Sequence, residues 1–287
     1  MNLKRNIPHS TLPSEIGTEH ADNTYSPATA LSISNLCVSL GKYEIIHDLS
    51  IDVPTGHMVG LLGPNGTGKT TLLRTVAGIL QPSAGHIRVY GANINSLTPR
   101  QRARQLTYIG QEEVPAADFS VSQVLAMARL PYRSRLPWSS SSDSEGPAAI
   151  ARAAKLMQIE DLLEAPCHKL SGGQKRRVVL ARGLAQDTPV LILDEPTNHL
   201  DIHHQLELLT LLQQAETTVL CSLHDVDLAH GFCDQVGIID QGHLAAFDPT
   251  ASALTPELIA QVFGVHSSLV HSDTREHLVI ERALTRR

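Results

Sequence analysis

Apolar residues recur at Leu31, Ile33, Leu36 and Val38, and again at Ile45, Ile46, Leu49, Ile51 and Val53. Near-alternation on both sides of a turn at residues 41–44 predicts two antiparallel strands. HMVGLLG, residues 57–63, is a short continuous apolar run of the kind a buried strand carries, and TTLLRTVAGIL, residues 70–80, has helical spacing up to Pro82. Strand, glycine-rich loop and helix make a first α/β unit. HIRVYG, residues 86–91, predicts another strand, and RQRARQLTYIG runs from a basic helix through a strand to Gly110. An amphipathic helix is expected over residues 121–129, a loop over 130–150 from its prolines and serines, and a second helix over 151–163. The strand pattern resumes only at VLILD, residues 190–194, so the intervening section reads as a mainly helical lobe inserted into an α/β core. Helix 203–214, strand 218–223, helix near 225–231 and strand 235–240 follow in the rhythm of parallel βα units, with a helix at 255–263 and a terminal strand at 277–283. Residues 1–29 show no period and are rich in Ser, Thr, Pro and Asn, which predicts a flexible extension.

Composition removes several function classes. Lys and Arg number 23 against 29 Asp and Glu, a net charge of −6, and aromatic residues are only 3% of the 287. Neither a general attraction to nucleic acid nor a supply of stacking platforms follows. The hydrophobic share of 42% beside 18% charged residues suits a protein that buries part of its surface against other chains. Four cysteines without CxxC spacing indicate no zinc site and no disulfide framework, and so fit a reducing cytosol. No apolar run approaches the roughly 18 residues of a membrane span, and the first residues lack the apolar stretch of a secretion signal.

The chemistry begins at GPNGTGKTT, residues 63–71. Gly63, Gly66 and Gly68 let consecutive backbone N–H groups of Pro64-Asn65-Gly66-Thr67-Gly68 turn inward around phosphate oxygens, and the following helix adds its positive end. Lys69 can reach the β and γ phosphates, and Thr70, followed by Thr71, can ligate Mg²⁺. The partner of such a loop is an acidic residue at the end of a hydrophobic strand, and VLILDEP supplies Asp194 to hold Mg²⁺ and Glu195 to polarise an attacking water.

Between these elements stands LSGGQ, residues 170–174, and with it the chain resembles the nucleotide-binding subunits of ABC transporters. The resemblance spans about residues 31–265. It implies an α/β fold with a P-loop nucleotide hydrolase core, an antiparallel β subdomain and an inserted helical subdomain. The implied division is an extension at 1–29, an ATP-binding domain at 30–265 with helices inserted at about 115–180, and a tail at 266–287 packed on or beside it. By the same resemblance Ser171, Gly172, Gly173 and Gln174 face the γ phosphate held by a second copy or close paralogue. Two ATP molecules with Mg²⁺ are then sandwiched in a head-to-tail dimer. Gln111 corresponds to the glutamine that contacts Mg²⁺ or water, Asp201 lies at the dimer seam, and His224 contacts the γ phosphate. The departure that matters is Leu40, where the family usually has a tyrosine stacked on adenine, with Tyr43 three residues on; Gly110, where a proline often precedes the glutamine, is a smaller one. Looser nucleotide selectivity is therefore expected.

NGTGKTTLLRTVAGILQPSAGHI, the Arg129, Tyr132 and Arg133 stretch, DIHHQ and LTPELIAQVFGV are most similar to subunits that energise uptake of iron-siderophores, haem and vitamin B12. The resemblance implies an integral-membrane permease as partner, an extracytoplasmic binding protein indirectly, no nucleic acid, and a location on the cytoplasmic face of the membrane. Phe119, Val121, Leu125 and Leu130 are the residues expected to face a coupling helix of the permease. Vitamin B12, zinc or manganese uptake, and a soluble ABC ATPase such as an Fe–S assembly factor, are the alternatives.

Overall fold

The computed structural model describes residues 29–110, 118–133, 143–198, 200–215, 217–271 and 276–284. Strands β1 (Thr29–Leu40) and β2 (Tyr43–Pro54) pair antiparallel, and β1 also pairs with β4 (Ala84–Val89), which carries the two-residue β5 (Ala92–Asn93). The expected alternation is real: Leu31, Ile33, Leu36, Val38, Ile46, Leu49, Ile51 and Val53 all turn inward and are buried. They pack over α1 (Lys69–Val76) and one face of a second, six-stranded sheet.

That second sheet has the order β10-β9-β3-β8-β7-β6. Strands β3 (Met58–Leu62), β6 (Leu106–Ile109), β7 (Val190–Leu193), β8 (Thr218–Ser222) and β9 (Gln235–Asp240) run parallel, and β10 (His243–Pro249) closes one edge antiparallel to β9. Every residue of β3, β7 and β8 is buried, as parallel strands covered on both faces require. Because the strands are parallel, their carboxyl ends gather at one edge. The helical lobe consists of α3 (Val121–Met127), α4 (Gly146–Leu156) and α5 (Gly172–Ala185), the last of which runs back to β7. Helices α6 (Ile202–Gln214) and α7 (Val226–Phe232) connect β7 to β8 and β8 to β9, and α2 (Pro99–Gln105) leads into β6. The short α8 (Thr250–Ala253) and α9 (Pro256–Phe263) follow, and β11 (Val265–His271) pairs with β12 (Glu276–Ala283) as a separate hairpin. The mixed α/β architecture with an antiparallel sheet and a helical lobe is the one expected of an ABC ATPase fold.

Three local expectations fail for identifiable reasons. Helix α1 stops at Val76 rather than near Leu80, because Gly78 takes φ +68° while its N–H and that of Ile79 bond back to Thr75 and Arg74. The stop is therefore at Gly78, four residues before Pro82, and a Cβ there would stand 2.5 Å from the Arg102 guanidinium. Helix α4 begins at Gly146, five residues before the expected start, since Pro147 sits in its first turn, where the missing N–H costs nothing, and it stops at Leu156, seven residues before the expected end, because Gln158 takes φ +53° and only a short 3-10 turn, Glu160–Leu162, follows. Val121 and Leu125 are completely buried in the lobe, so they offer no outward surface; Leu130, 61% exposed, does.

The most buried ion pair of the lobe among the described residues joins Arg129 to Asp143. Arg129 is 2% exposed; its Nε and Nη2 each donate at 2.7 Å to Asp143, and Nη1 donates at 3.2 Å to the Ala185 and Gln186 carbonyls at the end of α5. Tyr132 lies under the guanidinium, 4.0 Å from ring centre to Cζ. Hydrogen bonding from Arg129 holds the Asp143 carboxyl below its ordinary value. A carboxyl depressed in the folded state stabilises fully above its unfolded pKa of about 3.9, and that contribution is lost as pH falls through the lower folded value. Asp143→Asn should therefore cost about 3 kcal/mol at neutral pH by leaving a buried guanidinium without its counter-charge, read from urea unfolding. A loss below about 1 kcal/mol would place the pair among surface-like ion pairs instead.

Candidate functional site

The phosphate loop leaves β3 and enters α1. Gly63, Gly66 and Gly68 have φ of +150°, +83° and +102°. A Cβ on Gly63 would lie 2.1 Å from the Ile239 carbonyl oxygen and one on Gly68 2.7 Å from Ile46, so both positions exclude a side chain. Pro64 is half-buried, Asn65 and Gly66 are exposed, and Thr67 is buried with its hydroxyl on the Pro64 carbonyl at 2.9 Å. Lys69 is only 6% exposed, and its Nζ donates to the Gly63 and Pro64 carbonyls at 2.6 and 2.9 Å. Burial pushes the Lys69 ammonium down, while the Glu195 and Asp194 charges push it up. A desolvated cation folded onto its own loop, beside open backbone at Gly66, fits a polyanion such as a nucleotide phosphate chain.

Opposite the loop, the end of β7 delivers Asp194, 2% exposed. Its Oδ1 accepts from Thr70 Oγ1 at 3.1 Å and from Ser222 Oγ at 2.8 Å, and its Oδ2 accepts from the Tyr108 phenol at 3.3 Å. Thr70 and Asp194 thus present two hard oxygens side by side, a donor set suited to Mg²⁺. Burial raises the Tyr108 pKa, so the phenol keeps its proton for Asp194, and Arg74 hydrogen-bonds the same phenol.

Glu195 is held in the left-handed region at φ +51°, a conformation unfavourable for a residue with a Cβ. Three ties hold it there. Its N–H donates to Ser222 Oγ at 2.8 Å, its carbonyl accepts from Arg176 Nη2 at 3.1 Å, and Oε2 accepts from Asn198 Nδ2 at 2.8 Å. The remaining oxygen, Oε1, lies 2.6 Å from His224 Nε2. A carboxylate turned out of the strand and set against an imidazole can take a proton from water and share it with the ring.

Ser171, Gly172, Gly173 and Gln174 sit elsewhere, at the start of α5. Ser171 Oγ accepts from the Gln174 N–H at 3.3 Å and Gln174 Oε1 accepts from the Ser171 N–H at 2.9 Å, a closed capping box. Ser171 and Gly172 are exposed, and a Cβ on Gly172 would meet nothing within 4 Å. Among the described residues no hydrogen bond joins these four to the phosphate loop. Asp201, also exposed, caps α6 through the His204 N–H at 3.0 Å. Gln111 lies outside the described residues. Leu40 and Tyr43 face one another across the β1–β2 turn, 43% and 77% exposed, so neither aromatic nor aliphatic surface there is covered. Ser222, Tyr108, Arg176 and Asn198 are site residues that motif reading misses; Ser222, a polar residue ending an apolar strand beside His224, carried the one usable signal.

The family model for ABC transporters matches residues 46–198, from β2 through the phosphate loop and signature to the loop after β7. The chain belongs to the ABC transporter family. The cobalamin import ATP-binding protein BtuD of Halobacterium salinarum is 34% identical over 81% of this chain, which spans 58% of that relative's length. The ferric enterobactin transport ATP-binding protein FepC of Escherichia coli is 31% identical over 82% of this chain and 87% of its own. The hemin import ATP-binding protein HmuV of Pseudomonas putida is 35% identical over 88% of this chain and the whole of its own. No helix among the described residues of this ABC protein is long and apolar enough to cross a membrane.

Ser222 touches both halves of the carboxylate pair, so Ser222→Ala should uncouple them. A buried hydrogen bond to a charged group contributes about 1.5–3 kcal/mol, and the expected fall in ATP turnover is about tenfold to a hundredfold with nucleotide binding nearly unchanged. Unaltered turnover would mean that Glu195 needs no support from β8.

Proposed function

We propose that this protein is the ATP-hydrolysing subunit of a bacterial ABC importer, coupling ATP binding, dimer closure and hydrolysis to permease-mediated uptake of an iron-siderophore or haem. The observation that carries the reading is the meeting of Lys69, Thr70, Asp194, Glu195 and His224 at one sheet edge, in a chain similar to a ferric enterobactin protein and a hemin protein over most of their lengths. Similarity to a cobalamin import protein supports vitamin B12 as the second cargo. Cargo and ATP hydrolysis meet in different subunits, so the assignment of cargo rests on the relatives alone.

In this reading the loop amides and Lys69 bind the phosphate chain, with Lys69 exchanging its own carbonyls for phosphate oxygens. Thr70 and Asp194 would hold Mg²⁺, which would neutralise charge on the phosphates. Glu195 takes the proton of the attacking water at Oε1 or Oε2, and His224 fixes that carboxylate and faces the γ phosphate. Ser171, Gly172, Gly173, Gln174 and Asp201, at the starts of α5 and α6, serve the site of a second copy. Closure around two ATP molecules draws the lobes together and moves the permease, and hydrolysis resets them.

Glu195→Gln should slow hydrolysis by several orders of magnitude and leave ATP binding intact. In cells, the tagged protein should sediment with membranes and, after detergent extraction, copurify with a many-helix permease. Near-normal turnover by Glu195→Gln would overturn the general-base role, and recovery of cytosolic partners alone would favour a soluble assembly factor.

A further inference from the structure

Two arginines stand side by side early in α5, and their side chains take different partners. Arg177 pairs with Glu207 of α6. Arg176, half-buried, turns all three guanidinium nitrogens toward backbone carbonyls: Nε donates to Pro196 at 3.0 Å, Nη2 to Glu195 at 3.1 Å and Nη1 to Gly110 at 3.4 Å. Gly110 follows β6 and immediately precedes Gln111, whereas Glu195 and Pro196 follow β7, the strand paired with β6. One side chain from the signature helix therefore spans the carboxyl ends of two neighbouring strands.

We propose that Arg176 is a positioning residue for hydrolysis that acts through Glu195, holding the backbone beyond it so that the carboxylate stays turned toward His224. Glu195 sits at φ +51°, which a residue with a Cβ rarely adopts, so the peptide groups on both sides of it must be held. The N–H is held by Ser222 Oγ at 2.8 Å, and the carbonyls of Glu195 and of the next residue, Pro196, are held by Arg176. With those carbonyls released, Glu195 can relax to negative φ, and its Oε1 leaves the place 2.6 Å from His224 Nε2. An arginine that only fastened α5 could end on any acceptor, as Arg177 does on Glu207. Arg176 ends instead on the residue whose side chain meets the imidazole. Burial pushes the Arg176 guanidinium down, and the carbonyls replace the water it has lost, so the cation and the strained turn hold each other. The inference rests on the proposed reading of Glu195 as the general base.

The test measures MgATP hydrolysis and MgATP binding by the full chain, with Arg176 changed both in the parent and in the Glu195→Gln background. Arg176→Met keeps most of the stem and removes the donors; in the parent it should lower kcat about tenfold to a hundredfold while KM and nucleotide affinity stay within about twofold. In the Glu195→Gln background the same change should leave the residual turnover within about twofold, because the group through which Arg176 acts is already gone. Arg176→Lys, which keeps the charge but cannot reach all three carbonyls, serves where Arg176→Met does not fold. Its expected loss in kcat is about threefold to tenfold, again absent beside Glu195→Gln. Normal turnover by Arg176→Met overturns the inference, and so does an equal fold-loss in both backgrounds, which would mark an effect independent of Glu195. Near-normal turnover by Glu195→Gln alone, seen before any change at Arg176, overturns the general-base reading and this inference with it.

Discussion

A single buried carboxylate organises this molecule. Asp194 ends a fully buried strand, and its two oxygens are shared by a hydroxyl of the phosphate loop, a hydroxyl from the next strand and a phenol from the strand on the other side. A charge almost removed from water is costly unless every lone pair has a partner. Satisfying it therefore fixes the distance between β3, β6, β7 and β8 at their carboxyl ends. The same arrangement leaves Thr70 and Asp194 as adjacent hard oxygens, so what stabilises the sheet edge also prepares it for a cation.

From that point the strain is directed outward. Glu195, the next residue, reverses the chain at positive φ and is held there by groups from β8, α5 and the following loop. Arg176 has particular weight, because it sits two residues past the signature yet donates to the carbonyls of Glu195 and Pro196. The signature helix, exposed at its start, is thus mechanically joined to the carboxylate that would activate water. Burial lowers the Arg176 pKa, and the carbonyl oxygens it meets compensate for the lost hydration.

Much of this was legible from residue order. The strand–loop–helix unit at residues 57–80, the acidic pair after VLIL and the turn before α5 are local patterns set by neighbours in sequence, and in the fold Thr70 meets Asp194 while Ser171 caps α5. The supporting groups were less visible. Ser222, Tyr108 and Arg176 act through partners 19–86 positions away, and only Ser222, a polar residue ending an apolar strand beside His224, is set apart by its immediate sequence. Val121 and Leu125 illustrate the same limit: an amphipathic helix declares that it has an apolar face, but not whether that face meets its own lobe or another chain. The early stop of α1 and the early start of α4 both turned on single residues, Gly78 and Pro147, whose effect depends on position within a helix end.

The proposed function separates two residue sets: one would bind and hydrolyse nucleotide, and the other, at the starts of α5 and α6, would complete the site of a second copy. Complementation by mixing tests it most directly. A chain with Lys69→Ala and a chain with Ser171→Arg should each be nearly inactive as an ATPase, whereas their mixture should recover turnover well above either, because a mixed dimer gathers both lesions into one site and leaves the other whole. A mixture as inactive as its parts, with mixed dimers demonstrated in the same sample, would contradict the account.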